Sequence, residues 1–271
     1  MDRKTKNTMR RACLLATALG MVSLAGWAQA PAAAPLHPWQ TAVPRLTPEA
    51  YFTNLQTDAK IETPYLLKFG LSGGWGLAPI TKPLAGKSGH HHLLVNRDLP
   101  LDFKQALPFN EQYIHFGKGQ METVLTLAPG TYTLRLLLAD DKHLPHFVYS
   151  KPLTVTVTKN NGAPGAGFVK KGVALLNVAN NAVFKPPFRI QFHASGLNVA
   201  HQEQKEKDTG HFRLTMTPQK GAPADMPFPN GQTEVWLAPP AGVYTLRLDF
   251  IDNTTPGRLL AEPATAQIRV E

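Results

Sequence analysis

The sequence repeats itself, and that fact constrains the fold more than any other. Shifting the chain by 112 positions lays Phe116 to Asp140 on Phe228 to Asp252 with 12 of 25 residues identical. The matches include Gly119-Gln120 with Gly231-Gln232, Glu122 with Glu234, and Tyr132-Thr133-Leu134-Arg135-Leu136 with Tyr244-Thr245-Leu246-Arg247-Leu248. Upstream, a shift of 123 places Pro64 on Pro187, Phe69 on Phe192 and Ser72-Gly73 on Ser195-Gly196, and a shift of 121 places Gly89-His90 on Gly210-His211. The shift changes in Gly- and Pro-rich stretches, where loops accept insertions. A duplication of this length implies two homologous units of about one hundred residues, the size of a small domain.

Each unit reads as strands. Tyr132, Leu134, Leu136 and Leu138 alternate with Thr131, Thr133, Arg135 and Leu137, and Tyr244, Leu246, Leu248 and Phe250 repeat the pattern; a period of two with one apolar face is a half-buried strand. Met121 to Leu127 is a β-rich run, and Ala128-Pro129-Gly130 reads as the turn of a hairpin. On that reading Glu122 and Arg135 face each other as a cross-strand pair. Further strands are expected at Tyr51–Leu55, Leu66–Leu71, His90–Val95 and Leu153–Thr158. No segment shows helical periodicity over ten residues. Many short strands with frequent Gly and Pro predict an all-β protein of two tandem immunoglobulin-like β-sandwich domains, with a small barrel as the competing architecture.

The N-terminus predicts an exported protein. Met1 to Arg11 carries five basic residues, Ala12 to Gly26 is uncharged and mostly apolar, and small residues follow. This is a signal-peptide pattern, expected to be cleaved after Ala28 because Pro31 disfavours the site after Ala30. The apolar run is shorter than the ~20 residues of a membrane span. Losing residues 1–28 removes five basic residues and one acidic residue, which lowers the formal charge of +9 by four and takes away Cys13. The remaining basicity is mild and scattered, which excludes a nucleic-acid footprint. The expected divisions are a signal peptide at 1–28, a Pro/Ala-rich tether at 29–48, repeat one at 49–158, a linker at 159–172 and repeat two at 173–271. The expected location is periplasmic or secreted, with no transmembrane segment after cleavage.

Four segments carry a family resemblance: Lys68-Phe69-Gly70-Leu71, Gly89-His90-His91-His92-Leu93-Leu94-Val95, His115-Phe116-Gly117-Lys118-Gly119-Gln120 and Pro129-Gly130-Thr131-Tyr132. Together they resemble the DUF4399 family, exported bacterial domains of unknown function. The resemblance covers residues 50 to 158; the second unit resembles the family only through the first and lacks the triple His and the His-Phe-Gly-Lys segment. It implies exported β-sandwich modules and no established activity.

Residues shared by both units serve the shared fold; residues unique to unit one are the functional candidates. Strand alternation points His91, Leu93 and Val95 inward and leaves His90 and His92 together on the outward face, about 7 Å apart along the strand. Two imidazoles on one strand face are a frequent start of a zinc or copper site. His90, His92 and His115 are therefore the candidate metal ligands, with His143 and His146 as further candidates. The bland alternatives are a merely polar surface and a pH-sensitive one. Trp75, on the Gly73-Gly74-Trp75-Gly76 loop, and Lys118 are candidate contacts for an envelope glycan or protein; Trp75 equally suits the end of the core. Gly117-Lys118-Gly119 is followed by strand rather than helix, which disfavours a phosphate loop. Asp140-Asp141 with His143 resembles an acid–base pair but sits where a turn needs polar residues. Enzymatic signatures are missing: no G-x-S-x-G elbow, no H-E-x-x-H and no mature cysteine. The expected function is noncatalytic binding, of copper or zinc, with an envelope scaffold or adhesion module as the alternative.

Overall fold

The computed structural model describes residues 36–42, 49–84, 86–100, 102–162 and 164–271. The expected signal peptide, and residues 29–35 and 43–48 of the expected tether, lie outside the described residues. From Leu36 onward the chain forms one unit. It is all-β: the described residues contain nineteen strands and one short 3₁₀ turn, Gly165–Phe168. Among the described residues no helix is long and apolar enough to cross a membrane.

The first repeat contributes β1 (Ala50–Phe52), β2 (Ala59–Thr63), β3 (Tyr65–Leu71), β4 (Gly76–Leu77), β5 (Ser88–Val95), β6 (Tyr113–His115), β7 (Glu122–Leu125), β8 (Gly130–Ala139), β9 (Pro145–Tyr149) and β10 (Leu153–Asn160). One sheet has the order β1-β3-β7; the other has β2-β10-β8-β5-β4, with β6 added beside β5 and β9 beside β8. The second repeat contributes β11 (Gly172–Leu175), β12 (Ala182–Phe184), β13 (Phe188–Ser195), β14 (Asn198–Val199), β15 (Thr209–Pro218), β16 (Ala224–Phe228), β17 (Glu234–Leu237), β18 (Gly242–Asp252) and β19 (Ala264–Val270). Its sheets run β11-β13-β17 and β12-β19-β18-β15-β14, with β16 beside β15. Two open sheets per repeat, the second edged by a parallel pair (β2 on β10, β12 on β19), make an immunoglobulin-like sandwich rather than a barrel. The peptide bonds before Pro64 and Pro187, which the shift of 123 matches, are both cis.

The alternation of β8 and β18 works as expected on the inward face: Leu134, Leu136 and Leu138, like Leu246, Leu248 and Phe250, are fully buried between the sheets. The hairpin expected around Ala128-Pro129-Gly130 does not form. Strand β7 pairs with β3 in one sheet and β8 with β5 and β10 in the other, so this turn carries the chain across the sandwich. Strand–turn–strand chemistry is the same for a hairpin and for a corner between sheets, and only the partner strands decide. The corner is pinned by the Tyr132 hydroxyl, which donates to the Ala128 carbonyl at 3.0 Å, and Tyr244 repeats this with Pro240 at 2.7 Å; such tyrosine corners belong to this fold. Glu122 and Arg135 consequently do not pair. Arg135 reaches Asp98 at 3.2 Å, and Glu122 turns to the other repeat.

The two repeats meet reciprocally. The Val199 amide donates to Gly119 O, and at the matched place the Leu77 amide donates to Gly231 O, each at 2.9 Å. Gly119 and Gly231 both have positive φ, and a Cβ on either would overlap the backbone of the opposite repeat. Residues 36–42, expected as part of a free tether, are bound: Thr41 N–H donates to Trp236 O and Ala238 N–H to Trp39 O, an antiparallel bridge of Gln40 on Leu237 at the edge strand β17. An open sheet edge is a liability, and this segment covers one.

Candidate metal centre

Strand β5 lies inside its sheet and is buried along its whole length. His91 points into the core, edge-on to Phe69 at 5.2 Å, as the alternation predicts. His90 and His92 take the outward face. That face is not surface: both residues are 0% exposed. Residues between β5 and β6 cross it and build a small second core, in which Leu107 packs with Leu94, Leu137 and Ala139 against Leu99, Phe103 and Tyr113. The expectation of a solvent-facing pair fails because a sandwich sheet here carries a third layer.

Strand β6 sets His115 directly opposite His92. The fourth histidine comes from the turn between β8 and β9. There Asp140 Oδ1 accepts the amides of Lys142 and Leu144, each at 2.8 Å, and His143 adopts φ +64°. Asp140 thus organises the turn. The Leu107 amide donates to His143 O at 2.9 Å, tying the turn to the crossing loop.

These four side chains converge. His90 Nε2 and His92 Nε2 are 2.9 Å apart, His115 Nε2 and His143 Nε2 3.2 Å, and one ring nitrogen from each lies within 4.8 Å of all the others. His115 and His143 are half-buried and form the rim. Phe109, 63% exposed, stands edge-on to both, 4.5 Å from His143 and 5.2 Å from His115 between ring centres. Gly117 fixes the rim from below: a Cβ there would overlap the His115 ring.

Burial first, and then the neighbouring imidazoles, push His90 down to about 2 and His92 to about 3. Burial, then His143, also lowers His115. Near neutral pH the buried pair is therefore uncharged, each ring offering a lone pair, the form that binds metal. Nδ1 of His90 and of His92 is buried without a hydrogen-bond partner. An all-nitrogen set of neutral imidazoles suits zinc or copper rather than magnesium or calcium. In a tetrahedral site with bonds near 2.0 Å the nitrogens stand about 3.3 Å apart, close to the two shorter spacings found here.

His146 is not part of the cluster. Its ring lies on Trp75 at 4.8 Å, beside a cleft of about 400 Å³ that Asp140 and Asp141 also line. Trp75 is half-buried and packs against the main core. Lys118 is exposed at a turn whose amide bonds Gln120 Oε1 at 2.9 Å. In repeat two the cluster positions carry different chemistry. His211, matched to His90, bonds Asn253 at 2.6 Å, and Arg213, matched to His92, pairs with the buried Asp249 at 2.7 Å.

The model of a family described as a domain of unknown function, DUF4399, matches residues 67–158 and 190–271. The chain belongs to the DUF4399 family. The match in the second half is direct, so repeat two carries the DUF4399 pattern in its own right despite lacking the triple His. No curated protein matches the chain. Among solved structures, the fibronectin(III)-like modules of Clostridium thermocellum CbhA are 11% identical over 82% of this chain and 94% of theirs, with a TM-score of 0.24. A two-domain fibronectin type-III segment of chicken tenascin is 13% identical over 82% and 98%, with a TM-score of 0.22. The architecture of this DUF4399 protein rests on its own strand order.

Proposed function

We propose that this DUF4399 protein is an exported, noncatalytic binding protein whose first repeat holds one zinc or copper ion on His90, His92, His115 and His143. The observation that carries the reading is the convergence of four imidazole nitrogens within 4.8 Å, two of them on fully buried rings. Without an ion each close pair can share one proton between its Nε2 atoms, whereas one divalent ion turns all four rings into ligands. Four protein ligands complete the coordination of a closed zinc site and leave no position for a reacting water, which favours binding over catalysis. Export follows from the signal-peptide pattern of residues 1–28. An oxidising compartment suits an all-imidazole site, which has no thiol to lose.

The test is thermal unfolding with one equivalent of Zn(II) or Cu(II). A rise in Tm that is stoichiometric, and absent in the His90→Ala/His92→Ala variant, is expected. No shift at tens of micromolar metal contradicts the reading.

A further inference from the structure

Granting the metal site just proposed, its construction differs from that of a site built to hold an ion permanently. Structural zinc supplies folding energy that a small domain otherwise lacks. Here the cluster lies on the outer side of the sheet, away from the main core between the sheets. Repeat two builds the same sandwich with His211 and Arg213 in place of His90 and His92. The shared sandwich therefore does not require imidazoles at these positions.

The ligands are also held loosely in the electrostatic sense. Retentive sites anchor the far nitrogen of each histidine on a carboxylate or carbonyl, and losing that anchor weakens metal binding by about 10- to 100-fold. Nδ1 of His90 and Nδ1 of His92 have no such partner. All four ligands are neutral, so the ion would keep its full double charge in a largely buried pocket, which opposes tight retention.

The burial is graded as well. His90 and His92 close the bottom, His115 and His143 form a half-buried rim, and Phe109 leans on both rim rings from an exposed position on the crossing loop. A mostly exposed ring on a connection outside the strands can swing clear without disturbing a strand.

We propose that the ion is cargo rather than a structural fixture: this protein is a carrier for Zn(II) or Cu(II). It loads and surrenders the ion through the His115–His143 rim beneath Phe109, to acceptors with anionic ligands. Those acceptors bind the ion more strongly than four neutral imidazoles because they neutralise its charge.

The experiment uses the whole mature chain loaded with Zn(II). Release is followed by absorbance with an excess of the chelator 4-(2-pyridylazo)resorcinol, uptake by stopped-flow mixing, and global unfolding by denaturant jump. Release at least tenfold faster than unfolding is expected, with uptake and release both accelerated threefold or more in Phe109→Ala. A variant that merely loosened the site would speed release alone. Release at the rate of global unfolding overturns the carrier reading while leaving the metal site intact, as does Phe109→Ala with unchanged rates or with faster release alone. Failure of the wild-type chain to bind either ion overturns both readings.

Discussion

The Ser195 hydroxyl of the second repeat donates to Glu122 Oε1 of the first at 2.6 Å, and both carboxylate oxygens of Glu122 meet the second repeat. His193 Nε2 meets Oε2 at 2.9 Å and the Gly196 amide donates to Oε1 at 3.0 Å. The matched residue Glu234 makes the return contact, accepting the Tyr51 hydroxyl at 2.7 Å, with Arg189 3.5 Å away. Each repeat offers the same glutamate to the other, which is the pattern of a two-fold, self-complementary interface. Identity of Glu122 and Glu234 in the two copies thus has a structural reason, although not the hairpin pairing that the sequence suggests.

Glu122→Ala removes a buried acceptor and leaves the buried His193, the half-buried Ser195 and the Gly196 amide without their partner. A loss of about 3 kcal/mol is expected in denaturant unfolding. Arg135→Ala, whose partner Asp98 is 91% exposed, is expected to cost less than about 1 kcal/mol. The reverse order would show that the interface contributes little.

Stability falls on acidification. Burial holds His193 below the usual histidine value even though Glu122 pulls it upward. Burial opposes ionisation of Glu122, but its hydrogen bonds with His193 and Ser195 outweigh this and hold it below the usual carboxylate range. Both folded values are lowered, so in each case the unfolded chain takes up protons first, and stability is lost as pH drops. The loss begins below about pH 6.5 through His193 together with the buried His90, His91 and His92, which burial also holds low, and deepens below about 4.5 through Glu122. Melting temperatures between pH 7.5 and 4 check this. His193→Gln is expected to flatten the upper part of the curve; an unchanged slope contradicts it.

Two glycines separate the functions of the two regions. Gly117→Ala pushes the His115 ring off the rim, so metal affinity is expected to fall tenfold or more with Tm of the metal-free chain changed by little. Gly231→Ala strains a φ of +75° and strikes Leu77 O across the interface, so Tm falls while metal affinity holds. Calorimetric titration and melting curves on both variants read this directly; equal effects on both quantities would contradict it.

Trp39→Ala removes a ring that stands edge-on to Tyr244 at 5.6 Å and loosens the segment covering β17. A destabilisation of about 1 kcal/mol and faster aggregation are expected, measured by unfolding and light scattering. No change in either would make residues 36–42 a passive tether after all.

Much of this was legible because it is periodic or repeated. Alternation alone placed His91 inward and His90 with His92 on the other face, and the duplication implied two sandwiches. What sequence could not give is what depends on partners distant in the chain. The turn after Leu127 looks alike whether it closes a hairpin or crosses between sheets. The layer that buries His90 and His92 rests on Leu99, Phe103 and Leu107, three scattered apolar side chains of a connection that forms neither strand nor helix where they stand. His143 joins the cluster and His146 does not because one turn residue adopts φ +64°, a conformation no spacing reveals. Gly117 reads as an ordinary turn glycine until the ring of His115 is seen against it.

The central claim is most directly tested by anomalous diffraction at the zinc edge from crystals grown with one equivalent of Zn(II). One ion bonded to Nε2 of His90, His92, His115 and His143 at about 2.0–2.1 Å is the result this account predicts. Zinc bound elsewhere, with those four rings metal-free, would contradict it.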